Sequence, residues 1–235
     1  MSPLETFETA KAWEQAITDR IYTELKSRLD VADIVSFLVS GGSSPLPIYK
    51  HLSKTDLDWG RIKVALVDER WVEPDHDASN ERRIRQTLLQ NKAAPAQFIG
   101  MKTEDETPHE SLAEREAAYA NLPQPFDVIL LGMGGDGHTA SLFPEAYGLD
   151  IAFESDRNLA AIKATRSDVT GEHILRMTVG LRAIGNARTN ILAISGQSKR
   201  RIWELAQGET VDRETMPVKA VLELDNITTY WWGPS

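Results

Sequence analysis

The chain has 235 residues, 41% of them hydrophobic and 26% charged, with a formal net charge of −9 and no cysteine. Such a composition belongs to a globular protein long enough to bury a large core. The acidity disfavours nucleic acid and anionic membrane as partners, and the missing cysteines exclude disulfides, thiolate catalysis and Cys-ligated zinc.

No apolar run approaches membrane-spanning length, and the first residues, MSPLETFETAKAWEQ, carry neither an apolar signal core nor an arginine-rich transit pattern. A cytoplasmic protein with one domain over 1–235 is therefore expected. In residues 7–29, Phe7, Ala10, Trp13, Ile17, Ile21, Leu25 and Leu29 recur at spacings of three and four, which predicts an amphipathic helix with Trp13 packed inward.

Ile34 to Val39 reads as a strand and runs into SGGSSP at 40–45. Pro45 suits the first position of a helix and Ser43 or Ser44 the cap before it. A strand, a glycine-rich turn at Gly41 and Gly42, and a helix start together make a phosphate cradle. The next strand, Ile62 to Val67, ends in Asp68, Glu69 and Arg70, charges placed at a strand exit.

Asn80 to Leu89 reads as a helix whose Arg82, Arg83 and Arg85 form a solvated outer face. Phe98 to Met101 reads as a short strand. Thr107, Pro108 and Glu110 read as a capping box that opens a helix reaching about Asn121.

Val128 to Leu131 is an apolar run of the kind buried on both faces of a sheet, and it meets four glycines at 132, 134, 135 and 137 before His138. Gly132, Gly134 and Gly137 satisfy a dinucleotide fingerprint, but Pro144 and Gly148 allow no long helix after them, so that reading fails on context. Only a short helix, ended by Pro144, fits after His138. The imidazole thus sits at the carboxyl end of a buried strand, where open α/β sheets bind ligands.

Leu159 to Lys163 and Leu175 to Val179 read as strands, and Arg176 interrupts the apolar pattern of the second, a costly placement for an unpaired charge. Asn190 to Ser195 is another buried-type strand. It leads through Gly196 into a helix with Lys199 in its first turn, the end where the helix dipole favours an anion. Pro217 to Leu222 reads as a short helix and Ile227 to Trp232 as a last strand.

The alternation of strands and helices predicts a three-layer α/β, Rossmann-like fold with a mostly parallel sheet. Ser43, Ser44, Asp68, Arg70, His138 and Lys199 all follow strands, so one edge of that sheet gathers them.

SGGSSP at 40–45, VDERWVEPDHDASN at 67–80, LLGMGGDGHTASLFP at 130–144, RMTV at 176–179 and GQSK at 196–199 resemble, in order, the motifs of 6-phosphogluconolactonases. The related glucosamine-6-phosphate deaminases share the general pattern, but carry a carboxylate where Phe143 stands and usually a tyrosine where Arg70 stands. Ser44 replaces a usual threonine and keeps the hydroxyl.

The resemblance implies the fold of the sugar-phosphate isomerase and deaminase superfamily. It also implies hydrolysis of 6-phospho-D-glucono-1,5-lactone to 6-phospho-D-gluconate, the second step of the oxidative pentose phosphate pathway, with no metal or organic cofactor. On that basis His138 is the expected general base, since an unperturbed imidazole titrates near neutrality, and the glycine-rich backbone supplies oxyanion donors. Asp68 and Asp136 are alternative orienting groups for the imidazole. Gly42, Ser43, Ser44, Arg176 and Lys199 are expected to hold the phosphate, with Arg70 on the substrate or its loop. A phosphosugar lactone is the expected partner, and a monomer or weak homodimer the expected state. The rival activities are an amino-sugar-phosphate deaminase or isomerase and a non-catalytic sugar-phosphate sensor.

Overall fold

The computed structural model describes residues 2–233, so the two ends of the expected 1–235 domain lie outside the described residues. The first strand, β1 (Leu4–Phe7), precedes helix α1 (Ala10–Leu29). The predicted helix over 7–29 therefore loses its first residues. Phe7 belongs to β1 and stacks on Tyr230, while Thr9 accepts a hydrogen bond from the amide of Ala12 and caps α1. Trp13 is buried as expected, and its Nε1 donates to the Tyr230 carbonyl at 3.0 Å.

Strand β2 (Val35–Val39) leads into α2 (Leu46–Leu52). Neither Ser43 nor Ser44 caps that helix: Pro45 stands at the cap and no side chain bonds there, because the proline occupies the N-terminal boundary itself. Strand β3 (Ile62–Leu66) follows, then a strand that reading for charge alone missed, β4 (Asp68–Arg70). Asp68 and Glu69 are buried within it. Val67 is the step between β3 and β4: its amide still bonds the Val39 carbonyl, and its own carbonyl accepts from Val179.

Helix α3 (Asn80–Thr87) is capped by Ser79 and followed by β5 (Gln97–Ile99). Thr107 and Glu110 do exchange the two bonds of a capping box, yet α4 itself spans only Leu112–Ala120. Strand β6 (Val128–Leu131) is buried at every position. No helix follows His138. The segment turns on a bridge between Thr139 and Leu142 and continues to α5 (Leu149–Glu154). Next come β7 (Leu159–Lys163), β8 (Leu175–Val179), α6 (Leu181–Gly185), β9 (Thr189–Ser195), α7 (Gln197–Ala206), α8 (Val218–Leu222) and β10 (Ile227–Trp232).

Seven strands form a sheet in the order β1-β10-β9-β6-β2-β3-β5, every pair parallel. Helices cover both faces, which explains why β2 and β6 are buried at every position rather than alternately. Strands β4, β8 and β7 form a separate antiparallel sheet. Because the chain leaves β3 at Val67 to enter it, this small sheet continues from the carboxyl edge of the large one.

Candidate functional site

A cleft of about 220 Å³ opens at that edge, and its lining includes Gly42, Ser43, Ser44, Asp68, Arg70, His138, Arg176 and Lys199. Eight of the nine residues singled out from sequence therefore meet there. The ninth, Asp136, lies behind the imidazole: its Oδ1 is 2.6 Å from Nδ1 of His138. That oxygen also accepts from the His138 amide at 3.1 Å. Burial pushes the Asp136 carboxyl up, but the hydrogen bonds and charge of His138 outweigh it and hold the group below its ordinary value.

The glycines around this pair have a steric task. A Cβ on Gly134 would lie 2.1 Å from both Cε1 and Nδ1 of His138, so the ring rests directly on the bare Cα. The amide of Gly134 donates to the His138 carbonyl at 2.8 Å, and that of Gly137 donates to Gly134 at 3.3 Å. The turn closes on itself, and these two amides are occupied rather than offered to an oxyanion.

Asp68 is placed differently. Its Oδ2 accepts from the Ser141 hydroxyl at 2.6 Å and its Oδ1 from Asn80 Nδ2 at 3.2 Å. The geometry therefore puts Asp136, and not Asp68, on the imidazole.

The cleft is cationic. Arg70 and Arg176 are cross-strand partners in the β4–β8 pair. Arg176 is buried, and burial followed by the charge of Arg70 pulls its guanidinium down to about 10. Nε and Nη2 of Arg176 donate to the carbonyls of His173 and Thr170. Arg70 Nη1 donates to the Ala78 carbonyl and to Asn80 Oδ1, both at 2.8 Å, and its Nε is buried with no partner. Lys199, in the first turn of α7, is pulled down by burial alone, and no carboxylate among the described residues lies within ion-pair distance of it. None of these three cations makes an ion-pair contact with a carboxylate among the described residues, although the charges of Asp68 and Glu69 act on Arg176, and such a cluster suits an anion.

The sequence reading gave no supporting role to three residues, Glu69, Asn80 and Arg83. Glu69 is buried and its carboxylate accepts four hydrogen bonds, from the amides of Arg70, Asn80 and Glu81 and from the Ser79 hydroxyl. Burial nevertheless pushes this carboxyl up to about 7. The carboxylate fixes the start of α3, so that Asn80 can bond Asp68 and Arg70 at once. A Cβ on Gly41 would fall 2.1 Å from Asn80 Oδ1, which seats the glycine loop against the same side chain. Arg83 is a correction. Instead of facing solvent, it donates to the Gly41 carbonyl at 2.9 Å and braces that loop. Asn80 carried a weak signal, following a cap serine at the start of a helix, and Glu69 another, as a charge at a strand exit; Arg83 carried none.

Fold and cleft together define an α/β protein that presents a carboxylate-paired histidine beside a cluster of cations. The chain matches over residues 8–231 the model of glucosamine-6-phosphate isomerases/6-phosphogluconolactonase, and it belongs to that family. It is similar to the 6-phosphogluconolactonase of Pseudomonas aeruginosa, 35% identical over 97% of this chain and 94% of that one. It is also similar to that of Neisseria meningitidis, 36% identical over 95% of each. The crystal structure of a 6-phosphogluconolactonase from Shewanella baltica superposes with a TM-score of 0.93 at 35% identity, covering 99% of this chain and 98% of that one. Among the described residues no cluster of three or more His, Asp or Glu side chains is placed to hold a metal ion, and no helix is long and apolar enough to cross a membrane.

Proposed function

We propose that this chain hydrolyses 6-phospho-D-glucono-1,5-lactone to 6-phospho-D-gluconate, the second step of the oxidative pentose phosphate pathway. The observation that carries the reading is the His138–Asp136 pair, 2.6 Å apart, sharing one cleft with Arg70, Arg176 and Lys199. The relatives named above, which extend over nearly the whole chain, support it.

In this reading Nδ1–H of His138 donates to Asp136, which fixes the tautomer and leaves Nε2 as the base. Nε2 takes a proton from water as the water oxygen attacks the lactone carbonyl carbon. The imidazolium then returns that proton to the ring oxygen as the ester bond opens. Asp136 keeps its charge throughout, because its carboxyl is held below its ordinary value and opposes the developing imidazolium charge. Arg176, Lys199, Arg70 and the Gly42–Ser44 turn hold the phosphate. The Nη1 and second Nη2 hydrogens of Arg176 remain for a two-point grip, since its bonds to the His173 and Thr170 carbonyls use only Nε and one Nη2 hydrogen. Asp68, anchored by Ser141 and Asn80, lines the same cleft.

The test is acid release from freshly prepared lactone, followed at constant pH against spontaneous opening. Release well above that background supports the reading. No lactonase activity, with ammonia released from glucosamine 6-phosphate instead, would replace it with a deaminase.

A further inference from the structure

Phe143 is buried at 3% exposure, and its ring touches two groups of the cleft. Its centroid lies 4.3 Å from that of His138, with the planes 38° apart. The guanidinium carbon of Arg176 lies 5.4 Å from the same centroid. The backbone that carries the ring is held from several sides. The Phe143 amide donates to the Ser141 carbonyl at 3.1 Å, and the Ser141 amide bonds Thr178 Oγ1 at 3.1 Å. Ala140, just before, is left-handed at φ 50°, a conformation that persists only where the surroundings impose it.

Any apolar side chain would fill the space. An aromatic ring does more, because its face attracts a cation within about 6 Å of the centroid. Arg176 is a cation already, and His138 becomes one when it accepts the proton of the attacking water. These two positive groups share one cleft wall, and the phenyl ring is the group that contacts both.

We propose that Phe143 is a positioning residue for the hydrolysis: its ring seats the imidazole against Asp136, stabilises the imidazolium formed during water attack, and sets its spacing from Arg176. This rests on the lactonase reading above. In the step concerned a water O–H bond breaks, its proton moves to Nε2 of His138, and the water oxygen forms the new bond to the carbonyl carbon. The proton then passes to the ring oxygen as the lactone C–O bond breaks, so the imidazolium is transient. Arg176 does not depend on the ring for its own placement, because the carbonyls of His173 and Thr170 hold it. The proposal therefore assigns the ring to kcat and not to KM.

The experiment replaces Phe143 in the full chain by mono-, di- and trifluorinated phenylalanines, which keep the shape while draining the ring face of negative potential. Phe143→Leu and His138→Ala are made in parallel, and kcat, KM and Tm are measured for each on fresh lactone. The expected result is a stepwise fall in kcat with fluorination, about 2- to 30-fold at the end of the series, with KM and Tm unchanged. A kcat that stays flat across the fluorinated series reduces Phe143 to packing and overturns the proposal, whatever Phe143→Leu does. Full activity in His138→Ala would instead overturn the reading on which the proposal rests, which keeps the two failures apart.

Discussion

Arg70 and Arg176 stand directly opposite one another in the antiparallel pair of β4 and β8, and both line the same cleft. Like charges so placed repel and destabilise the pairing, and here one is buried. In the proposed reading a phosphate dianion bound beside them would relieve that repulsion, and Arg70 Nε is buried without a partner in the protein.

Inorganic phosphate is therefore expected to raise the Tm of the wild-type chain and to compete with the lactone. Arg176→Ala should raise KM by about 10- to 100-fold, from the ~1.5–3 kcal/mol of a hydrogen bond to a charged group, and should abolish the phosphate-induced rise in Tm. An unchanged KM together with a retained Tm response places the anion elsewhere.

Gly134 is required by contact, not by its dihedral angles. A methyl there would sit 2.1 Å from the His138 ring. Gly134→Ala should displace the imidazole by about an ångström and cost about 100-fold in kcat, with the phosphate-dependent Tm shift retained because the cations are untouched. Activity close to wild type would show that the ring relaxes without loss.

Asp136→Asn keeps a hydrogen-bonding oxygen near Nδ1 but removes the charge that opposes the imidazolium. A fall in kcat of at least about 100-fold is expected, with little change in KM, since triads lose up to about 10⁴ on the equivalent change. If Asp68→Asn lowers kcat at constant KM and Asp136→Asn does not, the orienting role belongs to Asp68.

Glu69 gives a pH test whose sign is the reverse of the usual carboxylate case. Burial holds its carboxyl at about 7 in the folded chain, against an ordinary 4.5. Between those values the folded chain keeps a proton that the unfolded chain has released. The stabilising contribution is fully present below 4.5 and is lost as pH rises through about 7. The stability of wild type relative to Glu69→Gln should therefore rise as pH falls from 8 to 5, by at most ~1.4 kcal/mol per pH unit. Denaturant unfolding at several pH values measures it, and a constant difference contradicts the assignment.

The large sheet was legible because its strands are short, largely apolar runs rich in branched residues, as at Val35–Val39 and Val128–Leu131. His138, Lys199 and the 40–45 turn were legible because each comes soon after such a run, beyond one or more glycines or within them. The small sheet was not. Strand β4 is three charged residues long, and its partner β8 lies about a hundred residues further on, so no local pattern announces the pairing. The face-to-face arginines follow from that pairing and were hidden with it. Glu69 was read as a strand-exit charge because its bonds run to Ser79, Asn80 and Glu81, across a loop whose path periodicity does not describe. Pattern also placed Arg83 on a solvated face, whereas its guanidinium reaches back to Gly41. The short helix expected after His138 failed because backbone turns tied to Asp68 and Thr178 override local propensity there.

The most direct measurement is kcat of His138→Ala on fresh 6-phospho-D-glucono-1,5-lactone, corrected for spontaneous opening. With the base removed and the cations in place, kcat should fall by about 10²- to 10⁴-fold while KM stays near that of wild type. A variant that turns over the lactone as fast as wild type contradicts the assignment of this imidazole as the base.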